Sequence, residues 1–211
     1  MDNMTLTRKE KEKIRHRREI LKASLKLFSE KGFHNVSMQD IAAQAEFGVG
    51  TLYNFFQSKE QLFAELSNDC AEKIYQILWP FLDAEGREDV KVRTFIKLHG
   101  KLVEENIEFI KLYVSERGHL TVSRNSGYEQ ADKVKILIRE KLEDIINAGI
   151  QNKIFRDVDA LIASLSIVAA IQSLVFEYSE DFTKAKMEQG LAKIEHLFVD
   201  SLLLTENRSN G

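Results

Sequence analysis

The sequence predicts an all-α fold of about nine helices. Apolar residues recur at helical spacing through nearly every segment and almost nowhere alternate. Pro80 is the single proline in 211 residues, so little interrupts long helices. Serines followed three residues later by an acid or amide, in Ser37-Met38-Gln39-Asp40 and Ser58-Lys59-Glu60-Gln61, mark helix starts.

Taken in order, the first helix is expected from about Arg15 to Lys31, with Leu21, Leu25 and Phe28 on one stripe and Gly32 as its stop. A short helix through Ile41–Ala45 follows the Ser37 cap. After a break at Glu46-Phe47-Gly48, a second short helix covers Gly50 to Phe56. The long helix opened by Ser58 turns Leu62, Phe63, Leu66, Cys70, Ile74 and Ile77 inward, and Pro80 is expected to end or bend it. Two stripes follow: Val92, Phe95, Ile96, His99, Leu102 and Val103, then Ile107, Ile110, Tyr113, Val114 and Arg117. Glycines and serines between Arg117 and Gln130 read as a loop. Val134, Leu137, Ile138, Leu142 and Ile145 lead to a stop at Gly149. Asp159 to Tyr178 is mostly apolar, and the last helix carries Met187, Leu191, Ile194, Phe198 and Leu202.

Composition, 44% hydrophobic and 30% charged, suits a globular chain with a real core. Ten dispersed glycines exclude collagen-like and low-complexity classes. A lone Cys70 makes no internal disulfide and fits a reducing cytoplasm. Met1-Asp2-Asn3-Met4 runs straight into charge, so no secretory signal is expected, and no uncharged run of 18 apolar residues suggests a membrane span. The net charge of −3 conceals a segregation. Residues 1–35 carry a net +5 and residues 67–211 a net −5. The densest basic run, Arg8 to Arg18, reads as a solvated helix face or frayed arm, or as a phosphate- or minor-groove-contacting arm beside a groove-reading element.

Residues 37–56 supply such an element. Two short helices about three residues apart cannot pack side by side and suit a steep crossing. Ala42 and Ala45 permit close approach, with Ile41 and Leu52 as the buried pair. The second helix exposes Thr51, Tyr53 and Asn54, which hydrogen-bond, where an ordinary surface helix carries Glu and Lys. Gly48 and Gly50 clear its N-terminus, the end from which such a helix reads base edges. Lys59, at the start of the next helix, is placed to meet a phosphate.

These residues, Ser37 to Ala45 and Gly48-Val49-Gly50-Thr51-Leu52-Tyr53-Asn54-Phe55-Phe56-Gln57-Ser58-Lys59-Glu60-Gln61-Leu62, resemble the DNA-binding domain of the TetR family of bacterial transcriptional regulators. Ile20 to Phe33 is similar to that family's first helix, so the likeness spans about residues 15–66. It implies a DNA-binding domain over 1–58, with a basic arm at 1–14 and the helix-turn-helix at about 37–56. A ligand-binding and dimerisation domain over 59–204 and a disordered tail at 205–211 complete the chain. The implied recognition helix is Val49 to Phe55. Gln39, Val49, Gly50 and Tyr53 match positions that reach bases or thymine methyls, while Thr51, Asn54, Phe55 and Lys59 match phosphate contacts. Three positions depart from the family pattern. Glu46 replaces a turn glycine, Gly48 a serine cap, and Phe55 a common histidine or tyrosine. Direct readout therefore looks thin, leaving thymine methyls and DNA shape much of the specificity.

In the C-terminal part, the small-residue helix from Asp159 to Tyr178 is either a central core helix or part of a dimer bundle. The resemblance implies the latter together with Lys184–Leu203, with Ala163, Ile167, Ala170, Leu191, Ile194 and Phe198 at the interface. It also implies an effector pocket for a small, largely apolar or aromatic molecule, for which Cys70, Trp79, His99, Tyr113, Arg117 and Gln172 are candidates. Scattered histidines and one cysteine give no metal site, and no nucleophile elbow or phosphate loop is present, so neither enzyme activity nor a cofactor is expected. The expected function is a dimeric repressor in the bacterial cytoplasm, associated with the nucleoid and released from a palindromic operator by its effector. The alternatives are an architectural or partner-controlled DNA-binding protein without an effector, and a helical enzyme or adaptor containing the hairpin.

Overall fold

The computed structural model describes residues 7–116 and 129–204, and the loop and tail expected around 117–130 and 205–211 lie almost wholly outside them. The described residues form eight α-helices, one 3₁₀ turn and an isolated antiparallel bridge between Phe155 and Leu203. They pack as two compact units. One holds residues 7–68 together with residues 111–116; the other holds residues 69–110 and 129–204.

In the first unit, α1 (Arg8–Lys31) starts seven residues before the expected Arg15. Thr7 and Glu10 form a capping box, with the Thr7 hydroxyl accepting from the Glu10 N–H and the Glu10 carboxylate from the Thr7 N–H. Residues 8–14 are therefore helix, not a separate arm. Gly32 ends α1 at φ 80°, a conformation that costs a Cβ-bearing residue about 1 kcal/mol or more. The turn folds Phe33 back onto Phe28, with ring centroids 5.0 Å apart, and onto Phe63, 5.7 Å away. After the 3₁₀ turn Phe33–Asn35 come α2 (Met38–Gln44), α3 (Val49–Phe55) and α4 (Lys59–Asp83). Leu62, Phe63 and Leu66 on α4 are buried. The first unit consequently runs past the expected boundary at 58, because α4 continues unbroken where the packing changes. The Ser58 box is half-formed: Ser58 caps the Gln61 N–H, but the Gln61 side chain accepts from the Gln57 N–H. Pro80 does not end α4, which runs on to Asp83, and it leaves the Gln76 carbonyl without its helical N–H donor.

The second unit contains the rest of α4, most of α5 (Glu88–Glu116), α6 (Glu129–Gln151), α7 (Ala160–Tyr178) and α8 (Lys184–Leu202). Asp159 caps α7 through the Ile162 N–H, and Thr183 caps α8 through the Lys186 N–H. Leu78, Leu82, Val92, Phe95, Ile96, Leu142, Ile146, Ile167 and Val199 form its core. The α5 backbone leaves helical geometry at Asn106 (φ −128°, ψ 20°), whose side-chain amide donates to the Leu102 carbonyl. This break divides α5 into the two stripes expected from sequence but rotates the second. Phe109 and Leu112 are buried and Tyr113 is exposed. Leu137 is likewise exposed rather than inward. Arg93 on α5 ties α8 by ion pairs to the largely buried Glu195 (2.8 Å) and the more exposed Asp200 (2.6 Å).

α7 lies between α6 and α8. At 19 residues, with a mean hydropathy of 1.9 over its most apolar 18, it is long and apolar enough to cross a membrane, contrary to the sequence expectation. Only 22% of its most apolar window is buried, so it is not a fully covered core helix.

Gly149 stops nothing, since α6 runs on to Gln151. A Cβ there would stand 2.2 Å from the Phe155 ring, which is itself 1% exposed and held by the Phe155 N–H on the Gly149 carbonyl. Gly149→Ala is therefore expected to destabilise the chain by about 1–3 kcal/mol despite alanine's better helix propensity, read as a lower urea midpoint.

Candidate nucleic-acid interface

α2 begins at a complete capping box. The Ser37 hydroxyl accepts the Asp40 N–H (3.1 Å), and Asp40 Oδ2 accepts the Ser37 N–H (2.8 Å). The Ser37 hydroxyl, and then its N–H, hold the Asp40 carboxyl below the usual carboxylate range. The turn into α3 is closed by the Ala45 N–H on the Ile41 carbonyl and the Phe47 N–H on the Ala42 carbonyl. Between them Glu46 adopts φ 60°, the left-handed conformation that a glycine takes without strain. Gly48 caps α3 through its backbone alone, with no side-chain acceptor.

α3 buries Leu52 completely, and Phe56, also fully buried, follows its last residue. Its outer face presents Val49, Gly50, Thr51, Tyr53 and Asn54, and Gln39 is exposed on α2. Phe55 is half-buried. Lys59 is largely committed to the fold. Its ammonium donates to the Phe33 carbonyl (2.9 Å) and lies 4.8 Å from the centre of the Phe33 ring.

Two α1 residues outside the expected site support this face. The His16 ring meets Phe47 edge-on at 5.0 Å and Phe55 at 6.4 Å, touching the residues on either side of the reading surface. The Arg17 guanidinium lies 4.5 Å from the Phe56 ring centre and pairs with Glu65 at 2.6 Å. The signal for both was present, because they sit one turn before the inward Ile20 and Leu21.

The candidate effector residues do not converge. Cys70 is buried, and burial raises its thiol to about 11. Trp79 stacks on Tyr75 at 5.1 Å, and Lys141 lies 5.5 Å from its ring centre. His99 packs edge-on to Phe95, and because a carbonyl only accepts, its Nδ1 must carry the proton given to the Phe95 oxygen at 2.8 Å. Desolvation drives its pKa down to about 4 against a smaller opposing effect of that bond, so the ring is neutral at pH 7. Tyr113 is exposed and belongs to the other unit, Gln172 is exposed on α7, and Arg117 lies outside the described residues. Gln172 is thus no pocket residue: it falls on the side of α7 turned away from the core. A cavity of about 460 Å³ between α7 and α8 is lined by Arg156, Asp159, Ile162, Ser166, Leu197 and Phe198, and none of the effector candidates reaches it.

Of the expected interface set, Ile167, Leu191 and Ile194 are core residues, 0%, 2% and 8% exposed, and Ala163, Ala170 and Phe198 are half-buried. The apolar surface that is uncovered comprises Leu161, Ile162, Leu165 and Phe176 on α7 with Leu197 on α8. A helix apolar on nearly every side has no periodicity from which its inner face can be read.

A helix-turn-helix with an uncharged, hydrogen-bonding outer face is the form in which DNA-binding proteins present a reading helix to the major groove. Residues 20–66 match the model of the bacterial regulatory proteins of the tetR family, which covers the helix-turn-helix and the helices on either side of it. The chain is 34% identical over 85 residues to the uncharacterized HTH-type transcriptional regulator YdgC of Bacillus subtilis (strain 168); the match covers 39% of this chain and only 44% of that protein. It is 26% identical over 152 residues to the HTH-type transcriptional repressor KstR2 of Rhodococcus jostii (strain RHA1), covering 70% of this chain and 72% of the repressor. The crystal structure of AibR in complex with isovaleryl coenzyme A and operator DNA shares the fold, with a TM-score of 0.71 at 19% identity over 89% of this chain and all of AibR.

Glu46→Gly relieves the left-handed turn at the expense of a more flexible unfolded chain. A net stabilisation of about 0.5–1 kcal/mol is expected by urea unfolding. His99 gives a pH dependence of definite sign. With a folded pKa near 4 and an ordinary value of 6.5, the unfolded chain takes up the proton first. Its contribution is complete above pH 6.5 and lost as pH falls towards 4, by about 2–3 kcal/mol in all. The urea midpoint of His99→Gln should fall less steeply than that of the wild type across this window.

Proposed function

We propose that the chain is a dimeric repressor that binds a palindromic operator through α3 and leaves it when a small, largely apolar molecule binds the second unit. The observation that carries this reading is the outer face of α3: Thr51, Tyr53 and Asn54 stand exposed on a helix whose opposite side is locked by Leu52, with Gln39 exposed on the preceding helix. Gln39, Val49, Gly50 and Tyr53 are assigned to bases and thymine methyls, and Thr51, Asn54 and Phe55 to phosphates. Lys59 retains one N–H for a phosphate after its bonds to the Phe33 and His34 carbonyls.

One α3 spans too few base pairs to single out a genomic site, so pairing of two copies is required. The uncovered face of α7, from Leu161 to Phe176, with Leu197 of α8, is the surface assigned to that pairing. Burying each such side chain is worth about 1.5–3 kcal/mol. For the effector, the neutral His99 and the aromatic Trp79 of the second unit supply one hydrogen-bonding and one apolar group, and the isovaleryl coenzyme A bound by AibR makes acyl thioesters the first class to test. Moving a repressor from 99% bound-competent to 1% requires a differential affinity of about 5.5 kcal/mol between the two states. Such a protein acts on DNA in the bacterial cytoplasm.

The test is selection of bound duplexes from a random library at 50 and 200 mM salt with the full chain, Tyr53→Ala and Leu165→Glu. A palindromic motif is expected, with affinity falling about 10³–10⁵-fold between the two salts for six to ten phosphate contacts. Tyr53→Ala should lose the motif. Leu165→Glu should scatter light as a monomer and bind the motif at least 100-fold more weakly. Enrichment without symmetry, unaltered by Tyr53→Ala, overturns the reading. Release of the selected duplex by acyl-CoA thioesters supports the effector class, and failure of the whole series removes it.

A further inference from the structure

The inward stripe of α1 changes chemistry partway along the helix. From its C-terminal end, Leu27, Ser24 and Ile20 are buried. His16, one turn further, covers Phe47 and Phe55 beside α3. Continuing at the same spacing, the stripe reaches Lys13 and then Lys9, both exposed. A stripe that continued to meet protein would stay apolar. This one becomes cationic where the domain surface ends, about 4.5 and 10.5 Å along the axis beyond His16.

The other charges of the segment are spent differently. Arg8 pairs with Glu12, Arg15 with Glu19, and Arg17 with Glu65, while Glu10 is taken by the Thr7 cap. Lys9 and Lys13 have no acidic partner among the described residues and share one face, whereas Lys11 and Arg18 point to the opposite side of the helix. An α-helix is about 10–12 Å across and does not enter a minor groove about 6 Å wide, so residues 8–18 cannot act as a minor-groove arm. A row of two free cations at helical spacing fits the charge pattern of a phosphate strand.

We propose that the first two turns of α1 form a second DNA contact, in which Lys9 and Lys13 bind backbone phosphates flanking the bases faced by α3, and His16 is the positioning residue that fixes this rod against the reading helix. The proposal rests on the reading of α3 as the DNA-contacting helix. The contact is to phosphate and is blind to sequence: it adds affinity, footprint length and salt dependence without altering base preference.

The test uses the full chain on its selected duplex, with binding measured as log Kd against log salt concentration. Lys9→Gln/Lys13→Gln is expected to reduce the salt slope by about 2 for each protomer bound, at roughly 0.9 for each phosphate left without its lysine. Affinity should drop about 10- to 100-fold on every operator variant, with base preference unchanged. Trimming the duplex flanks should cost the wild type a similar factor and the double variant little. Lys11→Gln/Arg18→Gln removes the same charge from the opposite face and serves as the control. His16→Ala is expected to loosen both base preference and flank protection, and His16→Phe, which retains the ring, to restore them. Equal slope changes in the two double variants, or an unchanged slope in Lys9→Gln/Lys13→Gln with native circular dichroism, overturn the proposal. If Tyr53→Ala retains sequence-selective binding, it is the assignment of α3 that fails.

Discussion

A seven-residue helix cannot hold itself together in water, and the first unit is organised around that constraint. α3 gains too few hydrogen bonds to offset its nucleation and has no side-chain N-cap. Its stability is therefore tertiary. Leu52 inside α3 and Phe56 just past it are fully buried, Arg17 covers Phe56, and His16 spans Phe47 and Phe55. Behind these supports the rings of Phe28, Phe33 and Phe63 form a cluster that links α1 to α4 through the turn between α1 and α2. Gly32 makes that cluster possible by turning the chain back at positive φ, and Lys59 closes it from the far side. Because the inner side of α3 carries all of its packing, the outer side is free to vary without cost to the fold.

The second unit faces the opposite difficulty, an excess of apolar surface. α7 has one acid, Glu177, in 19 residues, yet α6 and α8 cover only part of it. Small residues make the covered part unusually close. At Gly190 of α8 an added Cβ would fall 2.7 Å from a Leu174 methyl. The polar ties lie elsewhere, where Arg93 binds Glu195 and Asp200 at once and Lys97 shares Glu195. A two-pronged, partly buried guanidinium pair fixes the register of α8 on α5 more firmly than a lone surface pair. Holding α8 from the α5 side keeps Leu197, four residues before Ser201 on the outer side, at the surface beside the bare flank of α7.

Much of the first unit was legible because its signals are local. Ser37 and Asp40 form the box their spacing predicted, Gly32 ends α1, and the two short helices stand where the break at Glu46–Gly48 placed them. Glu46, a departure from the family pattern, turned out to occupy the conformation a glycine suits. The start of α1 was missed although Thr7 and Glu10 spell a capping box, because the dense charge around them masks it. Errors in the second unit share one cause, that facing is decided by partners distant in sequence. Gly149 resembles a helix stop but is a seat for Phe155, and Asn106 rotates the following stripe by breaking the ladder. α7 offers no polar face to orient it, so Ile167 and Leu165 are indistinguishable until α6 and α8 are in place.

Charge segregation along the chain acquires a use once the two units are seen. Residues 67–211 carry a net −5 and residues 1–35 a net +5, with the helix-turn-helix between them nearly devoid of free cations. α3 itself contributes no charge to DNA binding, and the ammonium of Lys59 is largely engaged with its own fold. On the proposed reading, long-range attraction to a duplex comes from the net +5 of residues 1–35, since the net −5 of residues 67–211 is repulsive to it. At physiological ionic strength this field acts over about 8 Å, enough to orient an encounter but not to choose a sequence. Attraction and discrimination are thereby assigned to different helices, which His16 and Arg17 hold in fixed relation. On that reading a substitution on α1 changes how often and how tightly DNA is held, and one on α3 changes which DNA.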